Sequence, residues 1–260
     1  MRGPFVPIAP GQVPCKCCGA TAALYGVVDF HKNCESRRRE VLGLSGVPVY
    51  YHRCPACRFL FTTAFDRLTP DDLRRHVYNA DYPLVDPDYA DRRPRANAAL
   101  LARLFPGPRL ARVLDYGGGD GLLADLLRAA GFPHAETYDP LVPRHAARPA
   151  GRFDLVVSFE AVEHSTDPAA TFAEIAGLLA DPGLVLFSTL VQPADIDERG
   201  LGWWYAAPRN GHVSLYSRES LGVLARRLGL SFGSLDDVRH VLYRRIPDFA
   251  RRLAPSARTT

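Results

Sequence analysis

Short apolar runs alternate along the chain with segments whose apolar residues recur at helical spacing, and this alternation is typical of an α/β protein. Apolar runs lie at 111–115, 134–139, 153–164 and 184–189, and we expect a strand in each. Helical patterns follow the first and third runs, and another begins after Ser217. This order predicts a mostly parallel sheet with helices on both faces.

The N-terminal part shows a different pattern, with strand-like stretches at 22–30 and 47–54 and all six cysteines of the chain. Four of the cysteines form two Cys-x-x-Cys pairs: Cys15 with Cys18, and Cys54 with Cys57. Four thiolates complete a tetrahedron around zinc and leave no open position, so we predict a structural zinc ion in a small β module. Redox catalysis by one pair is the alternative. Cys17 and Cys34 stay unassigned.

Between these two parts, the sequence predicts a helix that Thr69 caps and a second helix at about 93–105. The Pro-Gly-Pro stretch at 106–108 marks a boundary. Tyr82 is one of three tyrosines in this segment, and we expect it to contact a substrate or to pack between domains. The predicted division is a zinc-ribbon-like module 1–66, a helical linker or lid 67–108, an α/β domain 109–250 and a tail 251–260.

Composition adds mainly exclusions. The chain has 32 basic and 28 acidic residues, a net charge of +4, and its basic residues are arginines spread along the chain except for Lys16 and Lys32. We interpret the arginine clusters as solvated faces and do not expect nucleic acid as a partner. No apolar run approaches the roughly 18–20 residues that span a bilayer, and the first residues do not resemble a secretory signal. A cytoplasmic location is the default prediction, and the oligomeric state is left open.

The stretch "VLDYGGGDG" at 113–121 carries the strongest chemical signal. Asp115 ends the predicted strand, and glycines follow it at alternate positions: Gly117, Gly119 and Gly121. Because glycine has no Cβ, such a loop admits a ligand close to the backbone. The spacing D-x-G-x-G-x-G differs from the dinucleotide fingerprint G-x-G-x-x-G. Asp139 follows the last loop glycine by 18 residues, where a carboxylate accepts hydrogen bonds from ribose hydroxyls.

Together with "FDLVVSFEAVEHSTDP" and "GLVLFST", these motifs resemble the successive motifs of class I S-adenosylmethionine-dependent methyltransferases, over about 110–235. The cysteine module is similar to the front end of bacterial methyltransferases that modify sugar nucleotides and other small metabolites. The resemblance implies a Rossmann-like methyltransferase sheet, S-adenosylmethionine as cofactor and a small-molecule acceptor such as a sugar nucleotide. One alternative is a methyltransferase that binds and methylates RNA or protein, with the zinc module as the binding surface. Another is a non-catalytic cofactor-binding protein.

One departure concerns the edge of the sheet. Only 13 residues separate Asp139 from the strand that begins at 153. A helix, strand and second helix do not fit in this length, so we expect the outer strand to be missing or vestigial.

By resemblance, the cofactor-binding residues are Asp115, Gly117, Gly119, Gly121, Asp139, Pro140, Phe159 and Glu160. The predicted catalytic residues are His164, His212 and Glu163, with His164 as the first choice of general base because imidazole titrates near neutrality. A merely structural role for Glu163 and His164 is the alternative. The predicted substrate-binding residues are Tyr82, Trp203, Trp204, Tyr205, Arg209 and Asn210, since aromatic and polar groups in one loop suit an anionic or sugar-like ligand, with core packing as the alternative.

Overall fold

The computed structural model describes residues 11–39, 41–106 and 112–253. Its strands form two sheets. The strands are β1 (Val13–Pro14), β2 (Thr21–Asp29), β3 (Pro48–Arg53), β4 (Leu60–Thr62), β5 (Val113–Tyr116), β6 (Ala135–Tyr138), β7 (Phe153–Phe159), β8 (Leu179–Ser188), β9 (Ser214–Leu215), β10 (Ser231–Ser234) and β11 (Arg239–Tyr243). The α-helices are α1 (Pro70–His76), α2 (Tyr82–Val85), α3 (Arg92–Leu104), α4 (Leu122–Ala129), α5 (Pro168–Leu178), α6 (Ile196–Arg199) and α7 (Arg218–Arg227).

The larger sheet has the strand order β10-β11-β8-β7-β5-β6. Strands β5 to β8 run parallel, while β11 pairs antiparallel with both β8 and β10. The chain passes from β5 to β6 on one side and returns to β7 on the other, which creates a topological switch point at the carboxyl ends of these strands. Within the described residues β6 is the edge strand, which confirms the prediction that the outer strand is missing.

Alternate residues of the central strands pack against helices on opposite faces. Leu155 and Val157 of β7 join a core with α3 and α4, while Val156 joins a core with α5 and α7. The same alternation holds in β8. A strand buried on both faces requires such continuous apolar runs, so the predicted α/β class with helices on both faces is confirmed.

The smaller sheet has the antiparallel order β1-β2-β3-β4-β9 and carries the cysteines at one end. The two strands predicted here are present as β2 and β3, which pair with each other. The last strand, β9, comes from late in the chain and pairs Leu60 with Leu215. Phe59, Phe61 and Tyr216 lie in the same core as α5 and α7. The two sheets therefore share one hydrophobic core.

Helix termini follow the sequence signals. Thr69 caps α1 in a capping box with Asp72, and Ser217 caps α7 in a capping box with Ser220. The predicted strand at 111–115 is present as β5, with residue 111 outside the described part. The boundary at 108/109 and residues 254–260 of the tail also lie outside it, and the predicted division of the chain stays a prediction.

In the described part of the chain, each helix is too short or too polar to cross a lipid bilayer.

Candidate active site

A cavity of about 870 Å³ opens at the carboxyl ends of β5, β6 and β7. Its floor consists of the glycine loop, residues 139–143 and residues 159–161, and its roof consists of α1, α2 and α3 with the turns between them. Open α/β sheets bind ligands at this position, and the volume lies in the range of roughly 300–1,000 Å³ that small-molecule sites occupy.

The glycine loop brings its backbone to the cavity floor. Gly117 and Gly119 have φ values of +73° and +55°, in the left-handed region that glycine adopts without strain. A Cβ on Gly117 would lie 2.7 Å from the Cβ of Ala161, so the loop also approaches the next strand end closely. Gly121 lies outside the cavity lining, at the N-cap of α4.

Gly118 also lines the cavity, at a position to which the sequence analysis gave no role. A Cβ at this residue would overlap the Oδ2 atom of Asp115 and lie 2.9 Å from Cγ2 of Thr137. The backbone of Gly118 therefore lies directly on the Asp115 carboxylate. The sequence signal was the unbroken "GGG", in which we assigned a role to alternate glycines.

The Asp115 carboxyl group is buried beneath this loop, with 3% of the residue exposed. Its Oδ2 atom has no hydrogen-bond partner within the described residues. Burial, followed by the charge of Asp139, raises the pKa of Asp115 to about 7. A buried, unpartnered acceptor at the cavity floor is suited to a ligand that carries a donor or a positive charge.

This raised pKa predicts how the stability of the ligand-free protein depends on pH. Between about pH 4, the unfolded pKa, and about pH 7, the folded state holds a proton on Asp115 that the unfolded state has lost. The contribution of Asp115 to the free energy of unfolding should therefore fall by about 1–4 kcal/mol as pH rises through this window. In urea unfolding series, the difference between wild type and Asp115→Asn should change by this amount across the window, whereas the difference between wild type and Asp125→Asn, an exposed control, should stay nearly constant. Equal slopes in all three proteins would contradict the assignment.

Asp139 is held at the opposite edge of the loop. Its Oδ2 atom accepts a hydrogen bond from the Gly119 N–H at 2.9 Å, and its Oδ1 atom accepts one from Leu141 N–H at 2.9 Å. Pro140, the residue between these contacts, also lines the cavity. The carboxylate is thus fixed at the end of β6, where we predicted it.

Glu160 follows β7 in a left-handed conformation with φ of +50°, which costs a non-glycine residue about 1–3 kcal/mol. Its Oε1 atom accepts a hydrogen bond from the Ser188 hydroxyl at 2.8 Å. Together with Phe159, it lines the cavity wall. The contacts with Ser188 hold this strained residue, and its half-buried carboxylate lies beside the cavity.

The roof supplies aromatic and charged groups. Tyr82 lies 5.2 Å from Tyr78 and 5.1 Å from Tyr89, measured between ring centroids. Arg93 binds Asp86 through two parallel hydrogen bonds of 2.8 and 3.0 Å. All five residues line the cavity, so its upper half presents an aromatic surface with one bidentate ion pair.

Of the predicted catalytic residues, His164 lines the cavity. It lies in the 3₁₀ turn Val162–His164 after β7, and its Nδ1 atom is 3.0 Å from the Tyr78 hydroxyl. Burial lowers the pKa of His164 to about 4, so the imidazole is neutral at pH 7.

Glu163 and His212 lie behind the cavity wall. The Glu163 Oε1 atom accepts a hydrogen bond from the Tyr205 hydroxyl at 2.6 Å, and burial, followed by the charge of Glu160, raises the pKa of Glu163 to about 8. The Nδ1 atom of His212 is 2.9 Å from the Tyr205 carbonyl oxygen, and burial lowers the pKa of His212 to about 3. The structure therefore brings the three predicted catalytic residues together, but only His164 reaches the cavity.

Five of the six predicted substrate-binding residues do not line the cavity. They are Trp203, Trp204, Tyr205, Arg209 and Asn210. The Arg209 guanidinium donates to the Val77 carbonyl at 2.6 Å and to Oδ1 of Asn79 at 2.8 Å. The Asn210 side chain donates to the Val85 carbonyl at 2.9 Å and accepts from the Cys34 N–H at 2.8 Å.

The packing alternative describes the positions of these five residues, and their substrate role stays a prediction. Arg209 and Asn210 bind backbone groups at the ends of α1 and α2, so the loop fastens the roof to the fold. The Arg37 guanidinium packs over the Trp204 ring, with 3.9 Å between the Arg37 Cζ atom and the centroid of the ring. Tyr82 is the member of the predicted set that does line the cavity.

The four predicted cysteine ligands form a second site. Their Sγ atoms lie within 4.8 Å of one another, with 3.6 Å between Cys15 and Cys57 and 3.4 Å between Cys18 and Cys54. A tetrahedron with Zn–S bonds of about 2.3 Å has edges of about 3.8 Å, so the cluster fits zinc with little adjustment.

The two cysteine pairs have matching backbone turns. The Gly19 N–H donates to the Cys15 carbonyl and the Arg58 N–H donates to the Cys54 carbonyl, each at 2.9 Å. Gly19 and Arg58 both have positive φ, of +81° and +59°. The cysteine ligands lie outside the cavity lining, and buried Cys17 is not among the clustered ligands.

Comparison with known proteins identifies the family. The family described as a methyltransferase domain matches residues 89–234, more than half of the 260 residues. The ubiquinone biosynthesis O-methyltransferase of Aromatoleum aromaticum is 34% identical over 102 residues, which cover 30% of this chain and 44% of that protein. The protein of the same name from Escherichia coli O9:H4 is 29% identical over 125 residues, which cover 39% of this chain and 50% of that protein. The chain thus spans about half the length of these curated relatives.

Two solved structures share the fold. An O-methyltransferase family protein from Burkholderia thailandensis superposes with a TM-score of 0.50 at 16% identity, over 69% of this chain and 64% of that chain. The mitomycin 7-O-methyltransferase MmcR superposes with a TM-score of 0.50 at 16% identity, over 68% of this chain and 61% of that chain. At this identity the similarity establishes the fold alone.

The family match covers α3 of the roof, the glycine loop and the strand ends that form the cavity floor, while α1 and α2 precede it. The sheet also has the topology expected from the motif order. The chain therefore belongs to the methyltransferase-domain family, with the class I fold of S-adenosylmethionine-dependent methyltransferases.

Proposed function

We propose that the protein transfers a methyl group from S-adenosylmethionine to a hydroxyl oxygen of a small-molecule acceptor. The observation that carries the proposal is the continuity of the cavity: one end is the glycine loop with Asp115 and Asp139, and the other is the aromatic roof. A single cavity of this kind holds a cofactor and an acceptor side by side, which supports transfer between them.

The residues at the floor fit the cofactor. S-adenosylmethionine, when bound, supplies a methyl group activated by a positively charged sulfur. Asp115 offers a buried carboxyl oxygen without a partner in the described residues, and Asp139 offers a fixed carboxylate for ribose hydroxyls. A Cβ on Gly119 would meet no heavy atom within 4 Å, so the loop leaves space for a ligand at this position. Together these residues bind and orient a cationic, ribose-containing ligand.

The roof favours a small acceptor. It covers the cavity with Tyr78, Tyr82 and Tyr89, and the loop that contains Arg209 fastens it in place. The curated relatives are O-methyltransferases, which supports oxygen as the methylated atom. A sugar nucleotide or another metabolite stays the predicted acceptor, and the cytoplasmic location likewise stays a prediction.

We also propose that the cysteine cluster binds structural zinc. Four thiolates are a donor set typical of structural zinc. None of these four cysteines lines the cavity, so the zinc would not contact the acceptor. The general-base role of His164 stays a prediction. Its lowered pKa makes its imidazole a weak base, although a good hydrogen-bond acceptor.

The test uses zinc-loaded protein with methyl-labelled S-adenosylmethionine and an extract of the source cell, divided into small-molecule, RNA and protein fractions. We expect label in the small-molecule fraction, and its loss with Asp139→Ala, which lacks the carboxylate at the end of β6. Label confined to RNA or protein would overturn the small-molecule assignment. Tight cofactor binding without label in any fraction would favour a non-catalytic cofactor-binding protein.

A further inference from the structure

We infer that Glu163, His164 and His212 form a second metal site, separate from the cysteine cluster, that binds one divalent cation of the Mn²⁺ or Fe²⁺ class. Each residue offers one ligand atom, and the three atoms lie within 4.8 Å of one another. Two imidazoles and one carboxylate suit borderline divalent cations with octahedral coordination and leave positions open for water or another oxygen ligand.

The fold brings these ligands together from two parts of the chain. Glu163 and His164 lie in the turn after β7, and His212 immediately precedes the residues of β9. The Val213 N–H donates to the Glu163 carbonyl at 2.9 Å, which fixes the two segments against each other. The imidazole rings are 5.1 Å apart and nearly perpendicular.

A buried acceptor without a partner supplies an independent reason for a cation. Glu163 is fully buried, and its Oε2 atom has no partner among the residues that the structure describes. The Tyr205 hydroxyl lies between Glu163 and the half-buried Glu160, 2.6 Å from the first carboxyl group and 3.5 Å from the second. Leaving a buried oxygen without a partner costs free energy, and a bound cation would supply that partner.

No basic side chain in the described part of the chain makes an ion pair with either glutamate. Arg93 is the arginine whose charge acts on Glu160, but its guanidinium already binds Asp86 through two hydrogen bonds. A divalent cation bound by Glu163 and the two histidines would compensate the negative charge of Glu163 in its ionised form.

The surroundings also orient the ligands. If the His212 Nδ1 atom donates to the Tyr205 carbonyl at 2.9 Å, its Nε2 atom carries the free lone pair that a metal needs. Tyr205 thus holds Glu163 through its hydroxyl and His212 through its carbonyl.

His164 connects this site to the cavity, because it is the member of the trio that lines the wall. An acceptor hydroxyl coordinated by the cation would lose its proton more easily. This consequence rests on the proposed function, whereas cation binding does not. In this arrangement His164 binds the cation instead of accepting the proton from the substrate.

The first test titrates full-length, zinc-loaded protein with MnCl₂ in the absence of cofactor and measures free Mn²⁺ by electron paramagnetic resonance. Mn²⁺ is chosen because it prefers oxygen and nitrogen ligands, so occupied cysteine sites do not compete for it. We expect one bound Mn²⁺ per chain, with couplings to two imidazole nitrogens in the pulsed spectrum. Absence of binding, or bound Mn²⁺ without nitrogen coupling, would overturn the inference without any variant.

The second test compares Glu163→Gln and His212→Gln with two controls at exposed positions, Glu219→Gln and His134→Gln. Zinc content and thermal unfolding establish that each variant is folded. We expect the Mn²⁺ dissociation constant to rise at least about 10-fold in the first two proteins and to stay unchanged in the controls. Unchanged affinity in folded Glu163→Gln and His212→Gln would refute the site. Because Mn²⁺ binding is measured alone, failure of methyl transfer leaves this result interpretable.

Discussion

Gly118→Ala is expected to abolish measurable binding of S-adenosylmethionine. The added Cβ would overlap the Asp115 carboxylate and contact Thr137 at 2.9 Å. Asp115 is buried in the cavity floor, so either its carboxylate must turn into the cavity or the loop must move, and each change disturbs the cofactor site. We expect the dissociation constant in a calorimetric titration to rise by about 100-fold or more, equivalent to about 2.8 kcal/mol.

Gly119→Ala is the matched control for this prediction. Gly119 has a positive φ, but a Cβ there would meet no heavy atom within 4 Å. The change therefore costs about 1–2 kcal/mol of backbone strain without steric overlap. We expect at most about a 10-fold weaker affinity. If Gly118→Ala binds the cofactor as tightly as Gly119→Ala, the close packing of the loop on Asp115 is not what shapes the site.

Cys54→Ser is expected to release zinc and unfold the smaller sheet. Three thiolates no longer close the tetrahedron, and structural zinc sites contribute folding free energy directly. Because Phe59 and Phe61 share a core with α5 and α7, the larger sheet should also lose stability. We expect hydrogen exchange to become fast in β1 to β4 and the thermal midpoint to fall by at least about 10 °C, corresponding to several kcal/mol for a chain of this size.

Cys17→Ala serves as the comparison. Cys17 is buried and directly precedes Cys18 in the sequence, but it is not one of the four clustered cysteines. Elemental analysis should give one zinc per chain for this variant and for the wild type, and much less for Cys54→Ser. Full protection of β1 to β4 in a zinc-free Cys54→Ser protein would show that the cluster does not hold the sheet together.

The parallel strands, the capped helices and the cysteine cluster were predictable from the sequence because each depends on local pattern. Burial on both faces requires apolar runs such as 153–159, and Thr69 and Ser217 cap helices through contacts three residues away. The Cys-x-x-Cys spacing likewise fixes each half of the metal site. These signals require no knowledge of distant segments.

Long-range contacts were not predictable in this way. The pairing of Leu60 with Leu215 adds a strand from late in the chain to the smaller sheet, but neither residue has a periodic signal that points to the other. Arg209 resembled a substrate ligand because a polar residue in a loop suits binding as well as it suits anchoring. Its partner, the Val77 carbonyl, is a backbone group that no sequence pattern reveals. Gly118 was missed for the same reason, since its role depends on a buried carboxylate below it.

The central claim is that the cavity floor binds S-adenosylmethionine. Its most direct test is a calorimetric titration of the wild-type, zinc-loaded protein with S-adenosylmethionine, S-adenosylhomocysteine and NAD in parallel. We predict that one molecule of each of the first two binds per chain and that NAD does not bind. A folded protein that fails to bind S-adenosylmethionine, or that binds NAD in its place, would contradict this account.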